Sequence, residues 1–313
     1  MSTQLKGYVP NLSEPRKDRL KMMLYGASGT GKTTCALNFP KPYLIDTEAG
    51  TEDDIQYDEL IVKNGGMKYK TQDFDDMYDA IFLLATTKHE YKTLIIDPVT
   101  IIYQNTVDYF EEKMTDATKK GFSPQYTATN KKFRKFFNLI YKLDMNVILI
   151  SHAKTQYNVV KIDGKNTMIE SGLTYDTYKK TDYMLGLLLE TKFINKKRIA
   201  IVKKSRLKGF NLEDEFLLSY DEFAKRYNRD TLERETSVIE ESSIVTITNE
   251  TRQLLENVFK KKGYTEIHIE SWLKKKGLNK ISDLTEKEAL IFLDNMKAKE
   301  EKDRVENQKL LSE

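Results

Sequence analysis

Eight residues near the start of the chain have the types and the spacing of a loop that binds phosphate. The segment Gly26-Ala27-Ser28-Gly29-Thr30-Gly31-Lys32-Thr33 matches the pattern G-x-x-x-x-G-K-[ST], with an apolar run before it and a helical pattern after it. Glycines let successive backbone N–H groups point inward, and the start of the helix adds its positive end. We predict that this segment, together with Thr34, binds the phosphates of ATP. The alternative is a glycine-rich turn without a ligand.

Two hydroxyl and carboxylate side chains in this region suit a magnesium ion. Thr33 can ligate Mg²⁺ through its hydroxyl while Lys32 neutralises the β and γ phosphates. Asp97 ends the apolar run 93–96, which is the position of a carboxylate that meets Mg²⁺ through water. The sequence therefore predicts ATP and Mg²⁺ as cofactors, with Thr33 and Asp97 at the metal. An aspartate that only caps the following helix is the alternative for Asp97.

A further carboxylate is needed to orient the water that attacks the γ phosphate. Pro98 follows Asp97, whereas ATPases of the AAA+ and DEAD-box types have their catalytic glutamate at that position. Glu48 is the best-placed substitute, because it follows the second strand and neighbouring parallel strands end at one crevice. Asp46 is the competing candidate, and either acid can instead cap a loop.

The bulk composition limits the classes of protein that this chain can belong to. Its 313 residues, 39% of them hydrophobic, suffice for one large domain and a smaller one. The net charge of +3 provides no global cationic field, so nucleic-acid binding must come from local patches. The single cysteine excludes an intrachain disulfide and a thiolate zinc cluster, and favours a reducing cytoplasm. No apolar run approaches the length of about 20 residues that spans a bilayer, so we expect no membrane partner.

Short β-rich runs alternate with segments of helical period along the first half of the chain. Strands are predicted at residues 21–25, 42–46, 58–62, 93–97 and 146–150. Helical patterns cover residues 76–84 and 133–141, and the second places Phe133, Phe136, Phe137, Ile140 and Tyr141 on one face. We therefore expect an α/β fold with a mostly parallel, doubly wound sheet. Two antiparallel pairs are predicted after these strands. The first is a hairpin of residues 157–162 with 167–169. The second extends the sheet and pairs residues 182–190 with 198–203 through a connection at 195–197.

The chain divides into four segments by composition. We expect an amino-terminal arm (1–19), a core (20–235), a polar linker (236–249) and a small helical domain with a charged tail (250–313). The tail shows helical spacing around Leu255, Trp272 and Leu293.

The order of the motifs resembles the RecA-like branch of P-loop ATPases. After the loop come IDTE (45–48), LIID (94–97), ILISHAK (148–154) and KKSR (203–206). Over residues 20–210 the chain is similar to the short phage RecA-like proteins of the Sak group, which act in single-strand annealing and recombination. His152 stands where RecA has glutamine, and the helical tail is distinct.

This resemblance implies roles for four residues and an assembly. It places the catalytic glutamate at Glu48 and a polar γ-phosphate sensor at His152. It also implies that Lys204 and Arg206 reach the ATP site of a neighbouring subunit, in a ring or filament of identical chains. A structural histidine and a solvated basic edge strand are the alternatives.

Two basic segments, each expected to be a loop that follows a strand, are candidates for contact with single-stranded DNA. Their cations can follow phosphates and their aromatic rings can stack on bases. The first spans residues 113–135 and contributes Lys119, Lys120, Phe122 and Tyr126. The second spans residues 154–165 and contributes Lys154, Lys161 and Lys165. Solvated surfaces with no ligand have a similar composition.

The expected function is that of a DNA-stimulated ATPase in phage-type recombination or annealing, acting in the host bacterial cytoplasm. One alternative is a nucleotide-dependent scaffold whose residues 250–313 recruit a replication or recombination protein. Another is a motor of the helicase or packaging type.

Overall fold

The computed structural model describes residues 18–48, 55–114, 124–162, 165–239, 247, 249–275, 278, 280–281, 284 and 289–296. The chain divides into two compact units, Met1–Val238 and Ile239–Glu313, and each is considered by itself. None of the helices in the described ranges is both long enough and apolar enough to cross a membrane.

The first unit is built on an eight-stranded sheet with strand order β10-β9-β8-β1-β5-β4-β2-β3. Its strands are β1 (Lys21–Gly26), β2 (Pro42–Asp46), β3 (Met67–Lys70), β4 (Thr93–Asp97), β5 (Asn146–Ser151), β8 (Leu187–Ile194), β9 (Lys197–Ser205) and β10 (Glu215–Leu217). The strands from β8 to β3 in this order are parallel, and β9 and β10 extend the sheet antiparallel. The predicted α/β fold with a mostly parallel sheet and antiparallel additions is confirmed.

A separate two-stranded ribbon leaves the sheet directly after β5. It consists of β6 (Ala153–Ile162) and β7 (Lys165–Tyr175), which pair antiparallel. The strands are longer than the hairpin predicted from the sequence, and its turn at 163–164 lies outside the described residues.

Helices cover the sheet of the first unit. They are α1 (Lys32–Leu37), α2 (Ile55–Lys63), α3 (Phe74–Thr86), α4 (Val99–Glu112), α5 (Pro124–Lys142), α6 (Thr181–Met184), α7 (Tyr220–Phe223) and α8 (Arg229–Glu233), with a π-helical turn at Ala224–Asn228. The predicted apolar face of α5 is confirmed, because Phe133, Phe136, Phe137 and Ile140 are buried. Tyr141, which was expected on the same face, is 47% exposed.

The strand predicted at residues 58–62 is wrong, because these residues belong to α2. Tyr57, Leu60 and Ile61 pack against the core at helical spacing, while Val62 is 79% exposed. The third strand is instead β3, a four-residue edge strand whose sequence MKYK contains no apolar run. A short run of three apolar residues fits a buried strand and a helix face equally well.

The antiparallel extension also differs in detail from the prediction. Residues 182–184, expected in a strand, lie in the helical turn α6, so β8 begins at Leu187. Asn195 and Lys196 form the turn to β9 with φ angles of 49° and 61°. Both residues are left-handed, which suits the two-residue turn of a tight hairpin.

A buried arginine joins the start of β1 to the end of the first unit. Arg19 is 5% exposed, and its Nε donates to Asp144 Oδ1 at 3.1 Å. Its remaining N–H groups donate to four backbone carbonyls of residues 231–235 at 2.8–3.4 Å. Asp144 also accepts from Arg234 Nη1 at 3.0 Å and from Ser237 N at 2.9 Å. Arg19, assigned by composition to the arm, is thus an integral part of the first unit.

Replacing Lys21 by methionine is expected to remove a pH dependence of stability. Lys21 Nζ donates to the carbonyls of Leu143 and Met145 at 2.6 and 2.8 Å, and burial lowers its pKa to about 7. The unfolded chain binds this proton up to a pH of about 10.4, so the stability of the wild type rises with pH between these values. The contribution has a slope of up to about 1.4 kcal/mol per pH unit.

Urea unfolding at pH 7, 8 and 9 measures this slope. We expect a smaller rise in the free energy of unfolding for Lys21→Met than for the wild type. Lys225→Met, at an exposed lysine, is the matched control and should follow the wild type. Parallel curves for the wild type and Lys21→Met would contradict the prediction.

The second unit contains helices α9 (Asn249–Lys261) and α10 (Glu266–Lys275), and residues 289–296 are also helical. Its core contains Leu255, Phe259, Leu273 and Leu293. The three helical patterns that the sequence showed in this region fall in these three helices.

Candidate nucleotide site

The glycine-rich loop forms a sharp turn between β1 and α1. Gly29 and Gly31 have φ angles of 75° and 85°, which side chains disfavour, and Gly31 immediately precedes α1. Thr191 of β8 holds the loop from outside, because its Oγ1 lies 2.7 Å from Thr30 Oγ1. A Cβ on Gly26 would meet the Thr191 carbonyl oxygen at 2.4 Å. The loop therefore has the strand-to-helix geometry that its sequence motif requires.

Lys32 is folded back into this turn. Its Nζ donates to the carbonyls of Gly26 and Ala27 at 3.0 and 2.8 Å, and lies 3.4 Å from Thr30 Oγ1. Burial lowers its pKa from the ordinary value, and the neighbouring Asp97 acts in the opposite direction. The ammonium group is therefore held at the mouth of the loop, where an incoming phosphate can replace the two carbonyls.

Thr33 and Asp97, the predicted metal residues, are in direct contact. Thr33 Oγ1 donates to Asp97 Oδ2 at 2.6 Å. The pKa of Asp97 is raised to about 6, mainly by burial. Asp46 and Glu48 act in the same direction, whereas the hydrogen bond from Thr33 and the charge of Lys32 act against it. A partly buried carboxylate with two others nearby is a place where a divalent cation is stabilising.

These oxygen donors fit Mg²⁺ when nucleotide phosphates complete its shell. No cluster of three or more His, Cys, Asp or Glu side chains suited to hold a metal occurs within the described ranges. Mg²⁺ is usually bound through one or two carboxylates together with substrate phosphates and water, so a complete cage of protein ligands is not expected.

The structure brings Glu48 and His152 together at the edge of the sheet. Glu48 Oε2 lies 3.3 Å from His152 Nε2, and about half of each side chain is exposed. The competing acid, Asp46, is only 3% exposed, and its Oδ1 accepts from the backbone N–H of Glu48 at 3.3 Å. This arrangement favours Glu48 over Asp46 for contact with a substrate, because Asp46 is turned toward the backbone.

One cavity of about 700 Å³ connects the phosphate loop with the acidic side chains at the strand ends. Its lining includes the loop, the acids Asp46, Glu48 and Asp97, and His152. Tyr57 from α2 and Arg198 from β9 complete it. The cavity lies at the carboxyl ends of the parallel strands, where ligands bind in open α/β sheets.

The family to which this site belongs is shown by the sequence comparison. A profile described as an AAA domain matches residues 18–209, which is more than half of the chain. The chain belongs to the AAA domain family. It is accordingly a nucleotide-binding P-loop ATPase, a class that typically uses Mg²⁺. A search among curated proteins gave no match.

Lys204 and Arg206 lie at the opposite edge of the AAA domain from its phosphate loop. In the strand register Gly26 pairs with Thr191 and Thr191 with Ala200, whereas Ser205 pairs with Leu187 at the start of β8. Lys204 Nζ donates to the Leu185 carbonyl oxygen, and Arg206 N donates to Gly186 O at 2.9 Å. Neither side chain reaches the phosphate loop of its own chain.

The geometry of this basic element differs from the prediction in one respect. β9 ends at Ser205, so Arg206 follows the strand, and the two cations are not both strand residues. The register shift opposite Leu188 and Leu189 leaves Lys203 as an extra residue on β9. Arg206 lines a second cavity of about 430 Å³ together with Lys21, Tyr141 and Arg234.

The candidate DNA residues are only partly described. Lys119, Lys120 and Phe122 lie outside the described residues. Tyr126 is 44% exposed, but it lies in α5, so residues 124–135 are a helix where a loop was expected.

The second candidate segment lies on the ribbon of the AAA domain. Lys154 pairs with Asp176 at 2.8 Å. Lys161 is exposed near the end of β6, and Lys165 begins β7. The ribbon starts one residue after His152, so this segment adjoins the nucleotide cavity at its base.

Sequence reasoning missed Tyr57, Thr191 and Arg198 as parts of the site. Thr191 comes from β8 and Arg198 from the antiparallel strand β9, and no phosphate-binding motif includes either strand. Tyr57 directly precedes the segment 58–62 that was predicted as a strand, and it lies in α2. The one available signal was the hairpin pairing of 182–190 with 198–203, which places Arg198 at the same end of the sheet as the loop.

Proposed function

We propose that this ATPase hydrolyses Mg²⁺-ATP in a RecA-like manner and acts on single-stranded DNA in phage-type recombination or annealing. The observation that carries the proposal is the contact between Glu48 and His152 at 3.3 Å. Glu48 is the acid best placed to orient water, and His152 is the residue directly before the exposed ribbon. The contact therefore connects the hydrolysis site with the ribbon.

The cavity residues have distinct tasks in hydrolysis. The backbone N–H groups of the loop and Lys32 hold the triphosphate, as in other P-loop proteins. Mg²⁺, held by Thr33 and Asp97, would neutralise charge on the phosphate oxygens. Glu48 accepts a hydrogen bond from the attacking water and directs it toward the γ phosphate. Pro98 cannot supply this carboxylate.

His152 can report the state of the phosphate site to the ribbon. Its backbone N–H donates to Thr100 Oγ1 at 3.0 Å, and its carbonyl accepts from Asp176 N at 3.0 Å. The backbone is therefore fixed on both sides while the imidazole faces Glu48. A change in the partner of this imidazole on hydrolysis would be passed to Ala153 and the ribbon.

One face of the ribbon suits single-stranded DNA. Tyr157, Val159 and Lys161 alternate along β6 and so share a face. Tyr157 is 58% exposed and Val159 59% exposed, and Met168, paired with Val159, is 73% exposed. An aromatic ring and a lysine on an exposed strand supply stacking and a phosphate contact.

The assembly is proposed to be head-to-tail, with ATP between neighbouring chains. Arg206 is exposed at the edge opposite the phosphate loop, so it can only act on the nucleotide of another chain. A repeated heterologous contact of this kind produces a ring or a filament.

ATP hydrolysis with and without single-stranded DNA tests the proposal. We expect the wild type to hydrolyse Mg²⁺-ATP several-fold faster with DNA, without unwinding duplexes, and Lys32→Ala to be inactive in both conditions. Hydrolysis that DNA does not change would contradict the proposed role, and directional unwinding would assign the chain to the motors.

Charge reversal on the ribbon is expected to weaken DNA binding. The double variant Lys161→Glu and Lys165→Glu should bind single strands less tightly, because each lost phosphate contact lowers the slope of log K against log salt by about 0.7. Fluorescence anisotropy with a labelled oligonucleotide at several salt concentrations measures both quantities. Lys63→Glu with Lys225→Glu, at two exposed lysines, is the control. Equal slopes of log K against log salt for the two double variants would show that the ribbon does not contact DNA.

A second candidate, a scaffold that recruits a replication or recombination protein, is favoured by the second unit. Leu254, Ile267 and Ile291 on its helices are 53%, 78% and 50% exposed. Binding of such a protein by residues 250–313 without DNA would support this function.

A further inference from the structure

A cation that the proposed hydrolysis does not use lies against the phosphate loop. Arg198 is the second residue of β9, and its side chain packs on Gly31. A Cβ on Gly31 would meet Arg198 Cδ at 2.4 Å and Cζ at 3.2 Å. The absence of a side chain on Gly31 therefore leaves the space in which the arginine lies.

The guanidinium of Arg198 is available to a ligand. Among the described residues it has no hydrogen bond or ion pair, although it lines the nucleotide cavity. The charged lining of this cavity otherwise consists of Lys32 and of the carboxylates Asp46, Glu48 and Asp97. An unpaired planar guanidinium in a phosphate-binding cavity is suited to a phosphate oxygen.

The position of Arg198 in the sheet indicates which part of the nucleotide it meets. Asp97 ends β4, His152 follows β5 and Glu48 follows β2, and these three strands lie on one side of β1. β8 and β9 lie on the other side of β1. If the γ phosphate lies near Glu48, Arg198 faces the opposite end of the nucleotide, which carries the α phosphate and the nucleoside.

An exposed aromatic ring lies beside Arg198 on this side of β1. Phe193 pairs directly with Arg198 across the hairpin, so the two side chains share a face of the sheet. Thr191, two residues before Phe193, lies on the same face and contacts the loop through Thr30. Phe193 is 61% exposed. A flat ring beside a free guanidinium is suited to stack on a nucleobase.

We infer that Phe193 and Arg198 form the nucleoside subsite of this ATPase, with Phe193 stacked on the base and Arg198 bound to the α phosphate. The inference rests on nucleotide binding in the cavity and extends it to base recognition. Both contacts are the same for ATP and ADP, so the two residues contribute to binding and not to the chemical step.

Calorimetric titration with Mg²⁺-ADP and with Mg²⁺-pyrophosphate tests the assignment. Phe193→Ala is expected to weaken Mg²⁺-ADP about tenfold and to leave Mg²⁺-pyrophosphate unchanged, since only ADP carries a base. Arg198→Ala is expected to raise KM for ATP about tenfold with kcat within about twofold of the wild type. Arg198→Lys keeps the positive charge but lacks the two-pronged guanidinium, so its KM for ATP should lie between those of the wild type and Arg198→Ala.

Tyr57→Ala is the competing variant, because Tyr57 lines the cavity and offers the base another aromatic ring. Weakened ADP binding in Tyr57→Ala with unchanged binding in Phe193→Ala would place the base on α2 and overturn the inference. A lower kcat at unchanged KM in Arg198→Ala would overturn the role of the arginine. Failure of the wild-type protein to bind Mg²⁺-ADP would contradict nucleotide binding in the cavity itself, which is a different result from failure of the subsite assignment. The side chains of Phe193 and Arg198 are exposed, so we expect their variants to fold, and an unchanged thermal unfolding temperature would confirm this.

Discussion

Replacement of Glu48 by glutamine is expected to lower kcat for ATP hydrolysis by about 10²–10³-fold, because the amide cannot accept the proton of the attacking water. Affinity for Mg²⁺-ATP should stay within about twofold, since glutamine has the same shape and the loop and Lys32 hold the phosphates. Single-turnover hydrolysis together with equilibrium nucleotide binding separates the two quantities.

Asp46→Asn is the control for this prediction. Asp46 is 3% exposed and accepts the backbone N–H of Glu48, so its replacement should alter the position of the following residue without removing the base. We expect Asp46→Asn, which shifts Glu48 without removing it, to lose less kcat than Glu48→Gln. A full loss in Asp46→Asn combined with normal turnover in Glu48→Gln would transfer the catalytic role to Asp46.

Arg206→Ala is expected to lower ATP hydrolysis by about 10³-fold or more, the effect of removing an arginine that neutralises charge in the transition state. Each variant chain should still bind nucleotide, because Arg206 lies at the far edge of the sheet from its own loop. Mixing Arg206→Ala with Lys32→Ala should restore activity, since an interface that pairs the intact loop of one variant with the intact Arg206 of the other is complete.

The recovered activity is itself a quantitative expectation. In a random equimolar assembly about a quarter of the interfaces combine an intact loop with an intact arginine, so about a quarter of wild-type activity should return. A chain with both substitutions, mixed with Arg206→Ala, should give no recovery. Absence of recovery in mixed assemblies that form normally would show that Arg206 does not act between chains.

Local sequence patterns predicted those parts of the fold that depend on local contacts. β1, β2, β4 and β5 are apolar runs buried on both faces, and the phosphate loop is a single continuous motif. Residues 58–62 were misassigned because three adjacent apolar residues do not distinguish a strand from one face of a helix. Only the packing of Tyr57, Leu60 and Ile61 in three dimensions resolves that ambiguity.

The site required the order of the strands as well as their positions. Glu48 and His152 were each candidates from the sequence, but their contact joins residues 104 positions apart and depends on β2 and β5 flanking β4. Arg198 was missed for a related reason. It occurs in a basic stretch that is typical of a solvated strand, and only the antiparallel return of β9 brings it to Gly31.

An arginine lies near the start of β9 and another directly after its end, and this has a consequence for turnover. Arg198 adjoins the chain's own cavity, and Arg206 follows the same strand about 26 Å away at a rise of about 3.3 Å per residue. In a head-to-tail assembly one rigid strand would therefore span two successive ATP sites. A tilt of any chain would shift both of its arginines together, so ATP hydrolysis at one site would change the geometry of the next site. Hydrolysis would then proceed in sequence around the ring or along the filament.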